Sequence, residues 1–326
     1  MSTEPTWDMS WMERDFVGYG PNPPDPKWPN GAKIAVNFVL NYEEGGERSV
    51  EDGDAHAETV LHEFGQLLTA TPGERDPATE SQFAYGSRVG IWRIMNLFKK
   101  YNIPITFYAV ARAFERHPEV AKYAEENGHE VASHCYKWQP YTGMTADEEE
   151  AYIRKAVESF KKTSPTGRVP VGWYYGRPSE RSLPLVAKVY KESGLELLYW
   201  ADTYADDLPY YAPMPGEKKK AIVMMPYSLD NNDFKFWQTA YGSDDAFAQH
   251  VLDSFKTIRD EAIAGERHGY ITVALHTRWI GRPGRFQCLK RIVAEMQAHG
   301  DVWFATREQI ARHWTKVHPY VGPVQG

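Results

Sequence analysis

Cysteine is scarce. The 326 residues hold only Cys135 and Cys288, too few for a disulfide framework, so both thiols are expected to be reduced and the fold to rest on packing. Long apolar runs are missing too: none approaches the ~20 residues that a membrane span needs. The opening "MSTEPTWDMSWMERDF" has neither the basic n-region nor the apolar h-region of a signal peptide. Acids and bases are mixed along a chain of net charge −7, with no basic stripe and no polybasic segment. The usual electrostatic footprints of nucleic-acid and membrane-surface binding are therefore excluded. These absences predict a cytoplasmic protein.

Aromatic residues, by contrast, are plentiful at 14%, with 11 Trp and 20 Tyr. Core and subunit interface are their ordinary destinations; an aromatic-walled pocket for a flat, polar ligand is the specific one. Apolar residues at 42% and charged residues at 25% are those of a globular protein, and the length allows one large α/β domain or two ordinary ones.

The stretch up to Asn30 is rich in Pro and Gly ("GYGPNPPDPKWPNG"), which predicts a surface wrap without regular structure. After it, "KIAVNFVL" is a near-continuous β-branched run suited to a strand buried on both faces. Strands and helices then alternate. "ITFYAVA", "EVASH", "GWYYGR", "ELLYWAD", "AIVMMPYS", "YITVALH" and "VWFAT" read as strands. Between them lie helical patterns such as "SRVGIWRIMNLFKKYN", with Ile91, Ile94, Met95 and Phe98 on one face. "TADEEEAYIRKAVESFKK" opens with a capping box, Thr145 and Glu148. No Gly- or Ser-rich linker divides the chain. The expectation is an irregular wrap over 1–30, a single irregular (β/α) barrel over 31–318 and a tail over 319–326; a doubly wound open sheet is the alternative.

Barrel enzymes place their chemistry at the carboxyl ends of the strands. Here "VNFVL" leads to Asn41, Glu43 and Glu44, and "EVAS" to His134. "GWYYG" leads to Arg177, "LLYWA" to Asp202 with Asp206 and Asp207 behind it, and "YITVAL" to His276. Each has an ordinary reading as a turn residue, a structural histidine or an ion pair. Together they supply an acid, a base and an electrophile on one rim.

In order and type, the motifs "NYEEG", "SHCYKW", "GRPS", "DTYADD" and "LHT" resemble those of the polysaccharide deacetylases, the family 4 carbohydrate esterases. The strings "RDFVGYGPNPPDPKWP", "VNFVLNYEEGGE", "YGSRVGIWR", "ADDLPYY" and "GRPGR" are closer to one branch. That branch holds bacterial allantoinases, related cyclic imide hydrolases and some fungal deacetylase-like proteins. The resemblance runs from Arg14 to His318 and implies the deacetylase type of irregular barrel. It also implies a homo-oligomer, most simply a tetramer.

The departures carry information. A deacetylase of this family holds its metal with one aspartate and two histidines, the second four residues after the first. By that resemblance Glu44 stands at the carboxylate ligand and His134 at the first histidine, while Trp138 replaces the second and Glu43 occupies the base position. Cys135, next to His134 in a strand, would point to the opposite face and serve as a small buried hydrophobe. Two ligands remain where a catalytic zinc ordinarily has three, so no metal cofactor is expected, with zinc on Glu44 and His134 as the alternative.

The resulting reading is a hydrolase that opens a cyclic ureide or imide, allantoin to allantoate foremost. Glu43 is the expected base, His276 the acid and Arg177 the electrophile. The resemblance gives Arg177 an acidic partner, chosen as Asp206 over Asp202 and Asp207. Glu44, His134, Trp138 and Asp202 are expected around the substrate. A metal-dependent chitin or polysaccharide N-deacetylase and a catalytically silent ligand-binding barrel are the other readings. "SLDNNDFKFW" is polar enough to touch a ligand, and a surface loop accounts for it equally well.

Overall fold

The run Ile34–Tyr42 forms β1, and all nine of its residues are buried. Ile34, Val36, Phe38, Leu40 and Tyr42 face one apolar cluster, shared with the helices, while Ala35 and Val39 face another. That is the period-two alternation of a strand covered on both sides. The odd-numbered face carries buried Asn37 and Asn41. It therefore leads onward, by the same alternation, to Glu43.

A computed structural model describes residues 7–64, 70–237 and 244–322. Its further strands are β2 (Thr106–Ala109), β3 (Glu130–Ser133), β4 (Gly172–Trp173), β5 (Tyr199–Trp200), β6 (Tyr210–Pro213), β7 (Ala221–Met224), β8 (Tyr270–His276) and β9 (Val302–Phe304). They form one nine-stranded sheet in the order β6-β7-β5-β4-β3-β2-β1-β8, with β9 added beside β1. Pairing is parallel throughout except between β6 and β7. The sheet curls into an irregular (β/α) barrel, as expected.

The helices are α1 (Pro77–Tyr85), α2 (Ile91–Tyr101), α3 (Ala111–Arg116), α4 (Pro118–Glu126), α5 (Ala146–Thr163), α6 (Ser182–Glu192), α7 (Asp233–Trp237), α8 (Asp244–Ala264), α9 (Pro283–Gln297) and α10 (Arg307–Val317). Helix α2 buries Ile91, Ile94, Met95 and Phe98; fully burying each such side chain contributes about 1.5–3 kcal/mol. Thr145 and Glu148 form the reciprocal capping box that starts α5. Three helices, α1, α3 and α7, and strand β6 go beyond the periodic pattern of the sequence. "ITFYAVA" stays extended only to Ala109 before α3 begins.

The barrel floor is polar. Glu130 accepts from Thr106 Oγ1 at 2.8 Å and from Tyr199 Oη at 2.7 Å. Buried Arg307 donates to Thr272 Oγ1 at 2.9 Å and to the Pro226 carbonyl at 2.9 Å. These groups fill the floor, and the chemistry falls to the carboxyl ends of the strands. Among the described residues no helix is long and apolar enough to cross a membrane.

Candidate active site

Glu43 follows β1 directly and occupies the centre of this end. Its Oε1 lies 3.5 Å from His134 Nε2 and 3.5 Å from His276 Nε2. Its Oε2 accepts from Arg278 Nη2 at 2.7 Å. Glu43, His134, His276 and Arg278 are all at most 3% exposed. Burial alone would push the Glu43 carboxyl up; Arg278 and His276 outweigh it and hold the group well below the usual carboxylate range.

His134 lies just past β3. Its Nδ1 faces the Tyr174 carbonyl at 3.1 Å, so that nitrogen is the donor and Nε2 is left turned to Glu43. Tyr108 and Tyr174, stacked at 4.5 Å, flank its ring. The next residue corrects one expectation: Cys135 is not in a strand but in a left-handed turn, φ +66°. It is buried all the same, and burial pushes its thiol up, so it remains inert packing.

His276 ends β8. Its Nδ1 faces Asp233 Oδ1 at 2.7 Å, and Asp233 Oδ2 also accepts from the His276 amide at 2.7 Å. Burial would lower the imidazole, but Glu43 and Asp233 raise it to about 9, so it is an imidazolium at neutral pH. Asp233 comes from "SLDNNDFKFW", and Asn231, Asn232 and Asp233 are all buried. Through Asp233 this segment reaches the site, while Asp230 and Lys235 stay exposed.

The acidic motif "DTYADD" is corrected as well. Asp206 does not pair with Arg177: its Oδ1 accepts from the amides of Asp207 at 2.8 Å and Leu208 at 3.0 Å within its own turn. Asp207 is pushed up, by burial first and then by Asp206. Asp202 supports Arg177 instead, through the backbone. Its two oxygens accept from Tyr175 N and Gly176 N, both at 2.6 Å, which fixes the chain just before Arg177. Burial raises Asp202 to about 7 against those two amide bonds.

Arg177 lies over Trp138, with its Cζ 4.6 Å from the ring centroid. Burial lowers its pKa, and the acids whose charge acts on it most are Glu58 and Glu43. Among the described residues its Nη2 is buried without a hydrogen-bond partner. A buried donor left open in this way is a ready grip for a ligand oxygen.

Arg278 and Asp233 are the residues that the sequence motifs left out. Arg278 stands two positions after His276, so extending "LHT" by one residue would have included it. Asp233 carries no comparable signal.

The donor set does not suit a metal ion. Glu44 spends its Oε1 on Arg278 Nη1 at 3.2 Å and its Oε2 on the Glu43 amide at 3.1 Å. Trp138 offers no ligand atom. Among the described residues no group of three or more His, Cys, Asp or Glu side chains is arranged to hold a metal.

Comparison with known proteins places the chain in a family. A polysaccharide deacetylase family model matches residues 75–197. A Schizosaccharomyces pombe protein classed with the polysaccharide deacetylases is 41% identical over 315 residues, covering 94% of this chain and 98% of its own. Two crystal structures, of Puue allantoinase and of a probable polysaccharide deacetylase from Pseudomonas aeruginosa PAO1, are each 42% identical with a TM-score of 0.87. In both cases the match covers 94% of this chain and 99% of the other.

Proposed function

This chain belongs to the polysaccharide deacetylase family of hydrolases, and within it we propose that it opens the ring of a cyclic ureide or imide, allantoin foremost, by acid–base hydrolysis without a metal. The observation that supports this most is the surrounding of Glu43. Two imidazoles flank one of its oxygens at 3.5 Å, and a guanidinium rather than a metal ligand set occupies the other. The likeness to Puue allantoinase is compatible with this reading, and the probable deacetylase of Pseudomonas aeruginosa PAO1 is equally similar at 42% identity.

The chemistry follows from the geometry. His134, anchored through Nδ1, and the ionised Glu43 face each other. A water beside them, hydrogen-bonded to Glu43, keeps a lone pair for attack. Glu43 takes its proton as the C–O bond forms. Arg177 holds the carbonyl oxygen where charge develops. The C–N bond of the ring then breaks, and His276 delivers a proton from Nε2 to the departing nitrogen. One water is consumed, the new carboxylic acid releases its proton to become a carboxylate, and the proton on Glu43 passes to the facing His276, which restores both groups.

Substrate choice follows from what the site lacks. A catalytic zinc lowers the pKa of its water from 15.7 to about 7 and polarises the carbonyl as well. An N-acetyl sugar amide, with a poor leaving nitrogen, needs that help. A nitrogen between two carbonyls leaves as a delocalised anion and needs less. Turnover of allantoin, succinimide and an acetylated chitin oligomer by one pure sample tests the reading. Activity on a cyclic amide is expected; activity on the oligomer alone would establish a deacetylase, and none on any of them a silent barrel.

A further inference from the structure

Arg278 takes no proton in this scheme, yet the site is built around it. Its Nε donates to the Leu61 carbonyl at 2.9 Å, its Nη1 to Glu44 at 3.2 Å and its Nη2 to Glu43 at 2.7 Å. Its Cζ lies 4.2 Å from the centroid of Phe83 and 5.5 Å from that of Trp138. Edge and face of the guanidinium are both used. The side chain is 2% exposed, a position open to a charge only when it is paired and hydrogen-bonded.

The backbone around it is equally specific. Between α1 and α2 the helix widens into a single π turn, Gly86–Gly90, a distortion often found at functional sites. A Cβ on Gly86 would lie 2.6 Å from both Glu44 Oε1 and Thr277 Oγ1, and one on Gly90 would lie 2.1 Å from the Thr277 carbonyl. Glycine at both positions lets the helix close onto the turn that carries Arg278.

We propose that Arg278 is the built-in cation of this centre. It bridges Glu43 and Glu44 against Trp138 and holds Glu43 with one oxygen turned to the imidazoles. It is a positioning residue. Three of its five N–H donors go to protein acceptors, and the role assigned to it is to hold Glu43 rather than to activate a carbonyl, which is why an acid and a reactive ring are also required. The inference rests on Glu43 as the base and not on which cyclic amide is the substrate.

Arg278→Ala tests it through guanidinium ion, with urea as the uncharged partner of the same planar shape. Calorimetry should show guanidinium binding to folded R278A, no urea binding, and neither to the wild type. Using a cyclic amide that the wild type turns over, kcat should fall by about 10²-fold with KM little changed. Guanidinium at non-denaturing concentration should restore part of it and urea none. Near-wild-type kcat in R278A, absence of guanidinium binding, or equal rescue by urea would overturn the proposal. The binding experiment needs no substrate, so its outcome stands even if every cyclic amide fails. If thermal unfolding shows that R278A does not fold, Arg278→Gln replaces it in the turnover comparison, and an unchanged kcat there overturns the proposal equally.

Discussion

Asp233 grips His276 twice, at the backbone amide and at Nδ1, both at 2.7 Å. The first contact fixes where the residue sits and the second fixes which nitrogen is turned inward. With Nδ1 committed to Asp233, Nε2 faces Glu43 at 3.5 Å, longer than a good hydrogen bond. Burial alone would strip the proton; Glu43 and Asp233 keep it on, to about pH 9.

Asp233→Asn should therefore move the basic limb of the kcat/KM profile to lower pH. The acid must be protonated to act, and the substitution removes one of the two charges that hold the proton. The same group links pH to stability. Its folded pKa is raised, so its contribution is complete below the ordinary histidine value of about 6.5 and is lost as pH rises through about 9. Unfolding midpoints of wild type and variant should converge across that window. An unmoved basic limb would exclude His276 as its origin.

His276→Ala removes the donor altogether. Turnover should fall by about 10²–10⁴-fold, the usual range for losing a positioned proton transfer, and the basic limb should vanish from what remains. A pH–rate profile with both limbs intact would assign the acid elsewhere.

Much of this site was legible because strands make it so. The alternation along β1 points Glu43 inward, and the ends of β3 and β8 place His134 and His276 on the same rim. The choice among the acids of "DTYADD" was different. Asp202, Asp206 and Asp207 are equivalent as letters, and only the register Trp173↔Trp200 between β4 and β5 sets Asp202 against the amides of Tyr175 and Gly176. Asp233 lies 43 residues from His276 and reaches it through tertiary packing that no local pattern encodes. Strand β6 was hidden by its composition, since the prolines of "LPYYAP" suit only an edge strand, and an edge is where it lies.

Arg177→Lys should lose most activity while the fold survives. The guanidinium rests on the face of Trp138 and presents a buried, unpartnered Nη2; a lysine supplies a point charge without the planar fork. A fall in kcat/KM of about 10²-fold, the scale for losing one oxyanion donor, is expected with an unchanged thermal midpoint. Near-normal kcat/KM would reduce Arg177 to a packing partner of the indole.

Metal independence is the prediction with the most at stake, because it separates this chain from the deacetylases it resembles. His134 stands where a first imidazole ligand would be, yet it is useful without an ion: Nδ1 is anchored on the Tyr174 carbonyl and Nε2 faces the base. Glu44, the matching carboxylate, is already bound to Arg278 and to the Glu43 amide. A divalent ion entering here would have to displace a buried guanidinium from two carboxylates and would find no imidazole at Trp138. Purified protein should thus keep full activity after exhaustive chelation and carry substoichiometric metal by elemental analysis. Loss of activity on chelation, restored by zinc or cobalt, would overturn this reading and favour a metal-dependent deacetylase, because a metal that governs turnover would also be the source of the nucleophile now assigned to Glu43 and its water.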